Sequence, residues 1–117
     1  DDLLVIFDNE LDIINLKPKY KLFNKIPMRG IIATSPSSKF DFVSRCFFPS
    51  TGVNEDPVTG SAHTTLTPYW AQRLGKLKLH AKQLSKRGGL LHCELVNDRV
   101  LISGKAVLYM KGHINLP

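Results

Sequence analysis

The chain has 117 residues, enough for one modest domain with its own core. Its 43% hydrophobic and 22% charged residues exclude disordered and fibrous classes, and no apolar run approaches the ~20 residues of a membrane-spanning helix. The net charge of +6 raises nucleic acid as a partner, but the Lys and Arg residues are scattered without interleaved aromatics, so a solvated face is expected instead.

Residues 3–7 read as an aliphatic strand. Residues 10–16 read as a short helix capped by Asn9 and ended by Pro18. Residues 20–26 suggest one or two further helical turns, ended by Pro27. Residues 30–34 form a buried-type strand, followed by a turn at Ser35-Pro36-Ser37-Ser38. Residues 40–48 alternate. Phe40, Phe42, Ser44, Cys46 and Phe48 face one way, which implies core. Asp41, Val43, Arg45 and Phe47 face the other way, toward a cleft. Residues 50–58 read as a loop. A helix spans residues 60–74, with Ala62, Leu66, Tyr69, Trp70 and Leu74 on its apolar side. Thr59 or Ser61 is positioned to cap it, Gly75 to end it, and Pro68 to kink or split it. Strands are expected at residues 77–85, 90–96, 99–103, 105–110 and 113–116, with Asn97-Asp98 as a hairpin turn. There is no linker or repeat, so residues 1–117 form a single α+β domain.

Cys46 and Cys93 each lie in an apolar stretch, without C-x-x-C spacing. They read as reduced core thiols, not as a disulfide or a metal site. His80, His92 and His113 are scattered without ligand spacing and read as structural or surface residues, while His63 reads as helix packing or as a hydrogen-bonding group in a cleft. The start of the chain does not resemble a signal peptide, so a cytoplasmic location is expected. The absence of an initiator Met suggests a fragment or a processed piece.

The chemical centre is Glu55-Asp56-Pro57-Val58-Thr59-Gly60-Ser61-Ala62. A strand, a loop and a helix start follow in that order. The first turn of a helix carries unpaired N–H groups and a partial positive charge, which attract carboxylates or phosphates. Gly60 leaves room for such a ligand, and Ser61 adds a hydroxyl. Asp56 is a carboxyl beside that helix end, suited to proton transfer. A helix start rich in Asp, Thr and Ser is also what plain capping requires.

The run Asp41-Phe42-Val43-Ser44-Arg45-Cys46-Phe47-Phe48-Pro49 leads into Gly52-Val53-Asn54 and the centre. Beyond it stand Pro68-Tyr69-Trp70, Leu74-Gly75-Lys76, Gln83, Ser85, Arg87-Gly88-Gly89 and residues 100–107. Together these closely resemble the C-terminal half of the phenazine-biosynthesis PhzF-like family. The resemblance implies a fold like one half of diaminopimelate epimerase: a curled, mostly antiparallel, barrel-like sheet wrapped around a central helix. It implies an isomerase without metal or organic cofactor that shifts a proton on a small carboxylated, amino-bearing substrate. By the same resemblance Asp56 is the catalytic or amine-contacting acid. Thr59, Gly60 and Ser61 hold the substrate, and Arg45 and Gly88 line the cleft.

Two departures limit this. Related racemases carry a cysteine where Asp56-Pro57 stands, which disfavours a two-thiol mechanism. The family's main glutamate belongs to the N-terminal half, which is absent here, and Glu55 is not that residue. The chain alone is therefore expected to be inactive, with its own N-terminal half as partner, or a homodimer mimicking the two-half cleft. The alternative is a ligand-binding or protein-interaction module of the same fold without catalysis.

Overall fold

The computed structural model describes residues 1–23 and 25–117. Asn24, inside the second expected helix, lies outside them. The described elements are β1 (Asp2–Ile6), α1 (Glu10–Ile14), α2 (Tyr20–Phe23), β2 (Gly30–Pro36), β3 (Phe42–Phe48), a 3-10 turn (Pro49–Thr51), β4 (Val53–Asp56), α3 (Gly60–Leu74), β5 (Lys78–Gln83), β6 (Gly89–Val96) and β7 (Arg99–Ser103). The strand at β4 lies where the sequence suggested only a loop. No described helix is long and apolar enough to cross a membrane.

The strands form one sheet in the order β1-β2-β3-β5-β6-β7, with β4 paired to β3 alone. The β1–β2 and β3–β5 pairs are parallel, and the other four are antiparallel. The sheet is thus mixed and open, with β1 and β7 at its ends. The expected barrel-like closure is not found: among the described residues these two end strands have no pairing with each other.

β3 organises the sheet. One of its edges pairs with β2 along six residues. Its other edge is shared: residues 42–44 pair with β5, while Cys46 and Phe48 pair with β4. β4 and β5 part company at this point. Asp41 anchors the start of the β5 junction. Its carboxylate accepts from Lys76 Nζ (2.7 Å) and from the His80 amide (2.7 Å). Burial pushes that carboxyl up, but the Lys76 hydrogen bond, the His80 amide and the Lys76 charge together hold it below its ordinary 3.8.

Both faces of β3 are buried. Phe42, Cys46 and Phe48 pack with Ala62, Leu66, Trp70 and Ala71 of α3 and with Leu79, Ala81, Leu91 and Cys93. Phe42 and Trp70 stack at 5.8 Å, and Trp70 Nε1 donates to Thr34 Oγ1 (3.0 Å). On the opposite face Val43 and Phe47 pack with Ile13 and Ala33. That face was expected to border a cleft. Instead α1 covers it, because Ile13 supplies a fully buried apolar contact. Both cysteines are free and buried, as expected.

Asn9 caps α1 by accepting from the Asp12 amide (3.0 Å). Gly75 ends α3 in the left-handed region, at φ 65°. Pro68 does not split α3. Its ring and Thr64, whose carbonyl loses its helical donor, both lie on the exposed side, where water can satisfy the carbonyl. The expected strands at residues 105–110 and 113–116 are not formed. Residues 104–117 are irregular and exposed, with Val107 at 91% and Tyr109 at 97%. Their composition suits a strand, but they pair with no strand of the sheet among the described residues.

The core makes a simple contrast. Phe42→Ala should lower unfolding free energy by about 3–5 kcal/mol. Leu11→Ala, at a site 66% exposed, should stay within about 0.5 kcal/mol. Urea titration of both variants measures the difference.

Candidate active site

The split between β4 and β5 creates the site. Ser44 pairs with Gln83, and Cys46 pairs with Asp56. The end of β5 and the end of β4 therefore lie close together along one edge of β3. Residues 57–59 leave from there into α3.

Thr59 occupies the N-cap position of α3, yet its side chain makes no capping bond. Its hydroxyl donates instead to Asp56 Oδ2 at 2.5 Å. The 15-residue helix thus begins without the cap that its sequence supplies, and its first-turn amides keep their partial positive charge. Ser61 is exposed in that turn.

Two buried polar side chains hold the loop in place. Gln83 is fully buried. Its Oε1 accepts from the Thr59 amide (2.8 Å), and its Nε2 donates to the Asp56 carbonyl (2.7 Å) and to Thr59 Oγ1 (3.1 Å). Ser85 Oγ donates to the Pro57 carbonyl (2.7 Å) and accepts from the Gly88 amide (3.0 Å). Neither residue was singled out from sequence as part of the site. The available signal was a pair of polar residues at i and i+2 closing an alternating strand, where apolar residues would be expected to continue inward.

A concavity of about 590 Å3 opens beside the helix start. Its lining includes Val58, Gly60, Arg87, Gly88, Gly89 and Lys105. Two cations and a helix N-terminus therefore border it. Gly88 has φ 70°, a backbone that favours glycine. Gly89 has another reason: a Cβ there would stand 2.2 Å from Val58 Cγ2.

The expected residues fall into three groups. Gly60 and Gly88 line the concavity. Asp56 and Thr59 are bonded to each other ahead of α3 and do not line the concavity, and neither does Ser61, exposed in the first turn. Arg45 lies elsewhere, in a neighbouring groove that it shares with Glu55 and Gly88. Its guanidinium is already engaged. Nε and Nη2 grip both Glu55 oxygens (2.7 and 3.0 Å), and Nη1 donates to the carbonyls of Ile13 (3.1 Å) and Leu16 (3.0 Å). Arg45 thereby ties the end of α1 to β4.

Cys46 is not an acid/base here. Burial pushes its thiol up to about 12, outweighing a hydrogen bond with Thr59, so it stays protonated. His63 is fully buried in α3. Its Nδ1 lies 2.7 Å from the Thr59 carbonyl, which can only accept, so Nδ1 carries the proton. Nε2 has no partner among the described residues. Burial lowers the His63 pKa below its ordinary 6.5, against the raising effect of the Thr59 carbonyl.

The unfolded chain therefore takes up a proton at pH values where folded His63 does not. Stability contributed by neutral His63 is complete above pH 6.5 and falls as pH drops below it. The expected slope is up to about 1.4 kcal/mol per pH unit. Denaturant midpoints between pH 7 and 5 should show this slope, and His63→Gln should abolish it whatever its absolute stability.

Three comparisons place the chain among known proteins. The family model described as phenazine biosynthesis-like protein, PhzC-PhzF, matches residues 1–112. An uncharacterized isomerase of Pseudomonas aeruginosa is 55% identical across 99% of this chain and 45% of its own length. A human phenazine biosynthesis-like domain-containing protein is 43% identical across 85% of this chain and 37% of its own. Among solved structures, a phenazine biosynthesis PhzC/PhzF protein from Clostridium difficile superimposes with a TM-score of 0.88 at 49% identity, covering 98% of this chain and 45% of that one. A PhzF-family protein from Enterococcus faecalis gives 0.90 at 42% identity, again with 45% of its chain covered. The chain thus spans less than half the length of these relatives, and it belongs to the phenazine biosynthesis-like PhzC/PhzF family.

Proposed function

We propose that the chain supplies one half of a cofactor-independent isomerase site that shifts a proton on a small carboxylated substrate. The observation that carries this reading is the Asp56 carboxylate, held by Thr59 at the mouth of a helix whose cap has been withdrawn. Anion attraction and a proton-transferring group therefore meet at one place. The name isomerase carried by the Pseudomonas aeruginosa relative agrees with it.

In this reading the substrate carboxylate sits on the Gly60 and Ser61 end of α3, with the Ser61 hydroxyl as an added donor. Arg87 and Lys105 raise the local potential for an anion. Asp56 exchanges the proton or meets a substrate amine. Gly88 lets the ligand approach the backbone. Arg45 acts indirectly, by fixing Glu55 and with it the strand that ends in Asp56. A second acid/base comes from a partnering half, which matches the greater length of the relatives. A second copy of this chain is the other way to complete the cleft.

The test joins the chain to the remaining portion of the Pseudomonas aeruginosa isomerase. Candidate amino-carboxylates are then incubated with it in D2O, and label is read by mass. Asp56→Asn should slow incorporation by about 100-fold or more. Equal labelling by the variant would remove Asp56 from the chemistry. Carboxylate binding with no labelling in any form would favour a non-catalytic binding module.

A further inference from the structure

Gln83 has a feature that burial alone does not explain. The orientation of its carboxamide is dictated by backbone groups that cannot exchange roles. The Thr59 N–H can only donate, so the atom facing it is Oε1. The Asp56 carbonyl can only accept, so the atom facing it is Nε2. Flipping the amide would break both bonds at once. The second Nε2 proton then goes to Thr59 Oγ1. With that lone pair occupied by a donor, the single Thr59 proton is left for Asp56 Oδ2.

A threonine at an N-cap ordinarily accepts from an amide in the first turn of its helix. Here two groups compete with that habit and win: Gln83 donating to the hydroxyl, and Asp56 accepting from it. We propose that Gln83 is a positioning residue that keeps Thr59 from capping α3. It thereby does two things for the site. It leaves the first-turn amides of α3 free for an anion. It also occupies one Asp56 oxygen through Thr59, while Oδ1 has no protein partner among the described residues and faces the ligand's proton or cation alone. This inference rests on the reading of Asp56 as the proton-exchanging group, and it adds what holds that group in one orientation.

The experiment uses the full chain, isotope-labelled for NMR, and needs no substrate. In the unchanged protein, couplings across the Thr59 Cα–Cβ bond should report the rotamer that points Oγ1 to Asp56. In Gln83→Met, which keeps length and removes both donor protons and the acceptor, Thr59 should rotate and cap the helix. The Ser61 or Ala62 amide should then exchange about fivefold more slowly, the size of an ordinary cap. Affinity for acetate, used as the carboxylate probe, should fall. Should Gln83→Met fail to fold, Gln83→Leu is measured instead. It likewise offers no donor to Oγ1, so the same rotation is expected.

A folded variant in which Thr59 keeps its rotamer, or an unchanged protein in which Thr59 already caps α3, would overturn the proposal. These outcomes are separate from the labelling assay. Absence of deuterium exchange would remove the isomerase reading and leave the Thr59 geometry intact. A rotamer indifferent to Gln83 would remove this role and leave Asp56 chemistry open.

Discussion

Everything in this molecule hangs on a seam three residues long. Phe42, Val43 and Ser44 of β3 pair in parallel with Ala81, Lys82 and Gln83 of β5, and among the described residues no other strand pairing joins the β1-β2-β3 side of the sheet to the β5-β6-β7 side. Parallel strands far apart in sequence gain little from so few ladder bonds. The seam is therefore reinforced from beyond its ends. At one end Asp41 gathers Lys76 and the His80 amide, while its own amide donates to the His80 carbonyl. At the other, the Leu84 amide donates to the Ser44 carbonyl, and Gln83 binds the loop leaving β4. Across the seam lies α3, stacked on Phe42 through Trp70 and touching strands on both sides.

The site is a by-product of how that seam ends. β3 cannot serve β4 and β5 at the same residues, so the two strands diverge, and the divergence needs polar filling. Gln83 and Ser85 provide it. Their bonds draw the 57–59 loop against β5 and fix the angle at which α3 starts. A buried carboxamide with three satisfied bonds stabilises modestly, but it excludes alternative loop positions far more strongly, since each would strand a buried donor or acceptor. The position of the helix mouth thus follows from hydrogen-bond accounting together with the packing of Val58 and Ala62 on the core.

Much of this was legible in the sequence. The bounds of α3 and β7 could be read to the residue, because Gly60 and Gly75 punctuate one and the Asn97-Asp98 turn and Gly104 punctuate the other. The junction of Asp56 with the start of α3 was legible as a strand, a loop and a helix start in succession. Thr59 was legible as a cap residue by position, and its side chain was misjudged, because the competitor Gln83 stands 24 residues away and only the fold brings them together. Arg45 was expected at a cleft for a similar reason. Alternation told which side of β3 it occupies, but nothing local announced that α1 would lie over that side and take up its donors. The tail beyond Ser103 shows the opposite failure: its composition is strand-forming, but residues 104–117 take no place in the sheet.

The contact between Gly89 and Val58 bears on how the sequence can drift. A single methyl added at 89 would overlap the Val58 side chain, and Val58 sits in the loop between Asp56 and Thr59. A larger residue at 89 is tolerable only after 58 has shrunk, and a change at 58 alone leaves a gap in the loop between Asp56 and Thr59. The two positions are consequently bound into one heritable unit. Substitution histories in this lineage should record them changing together or not at all.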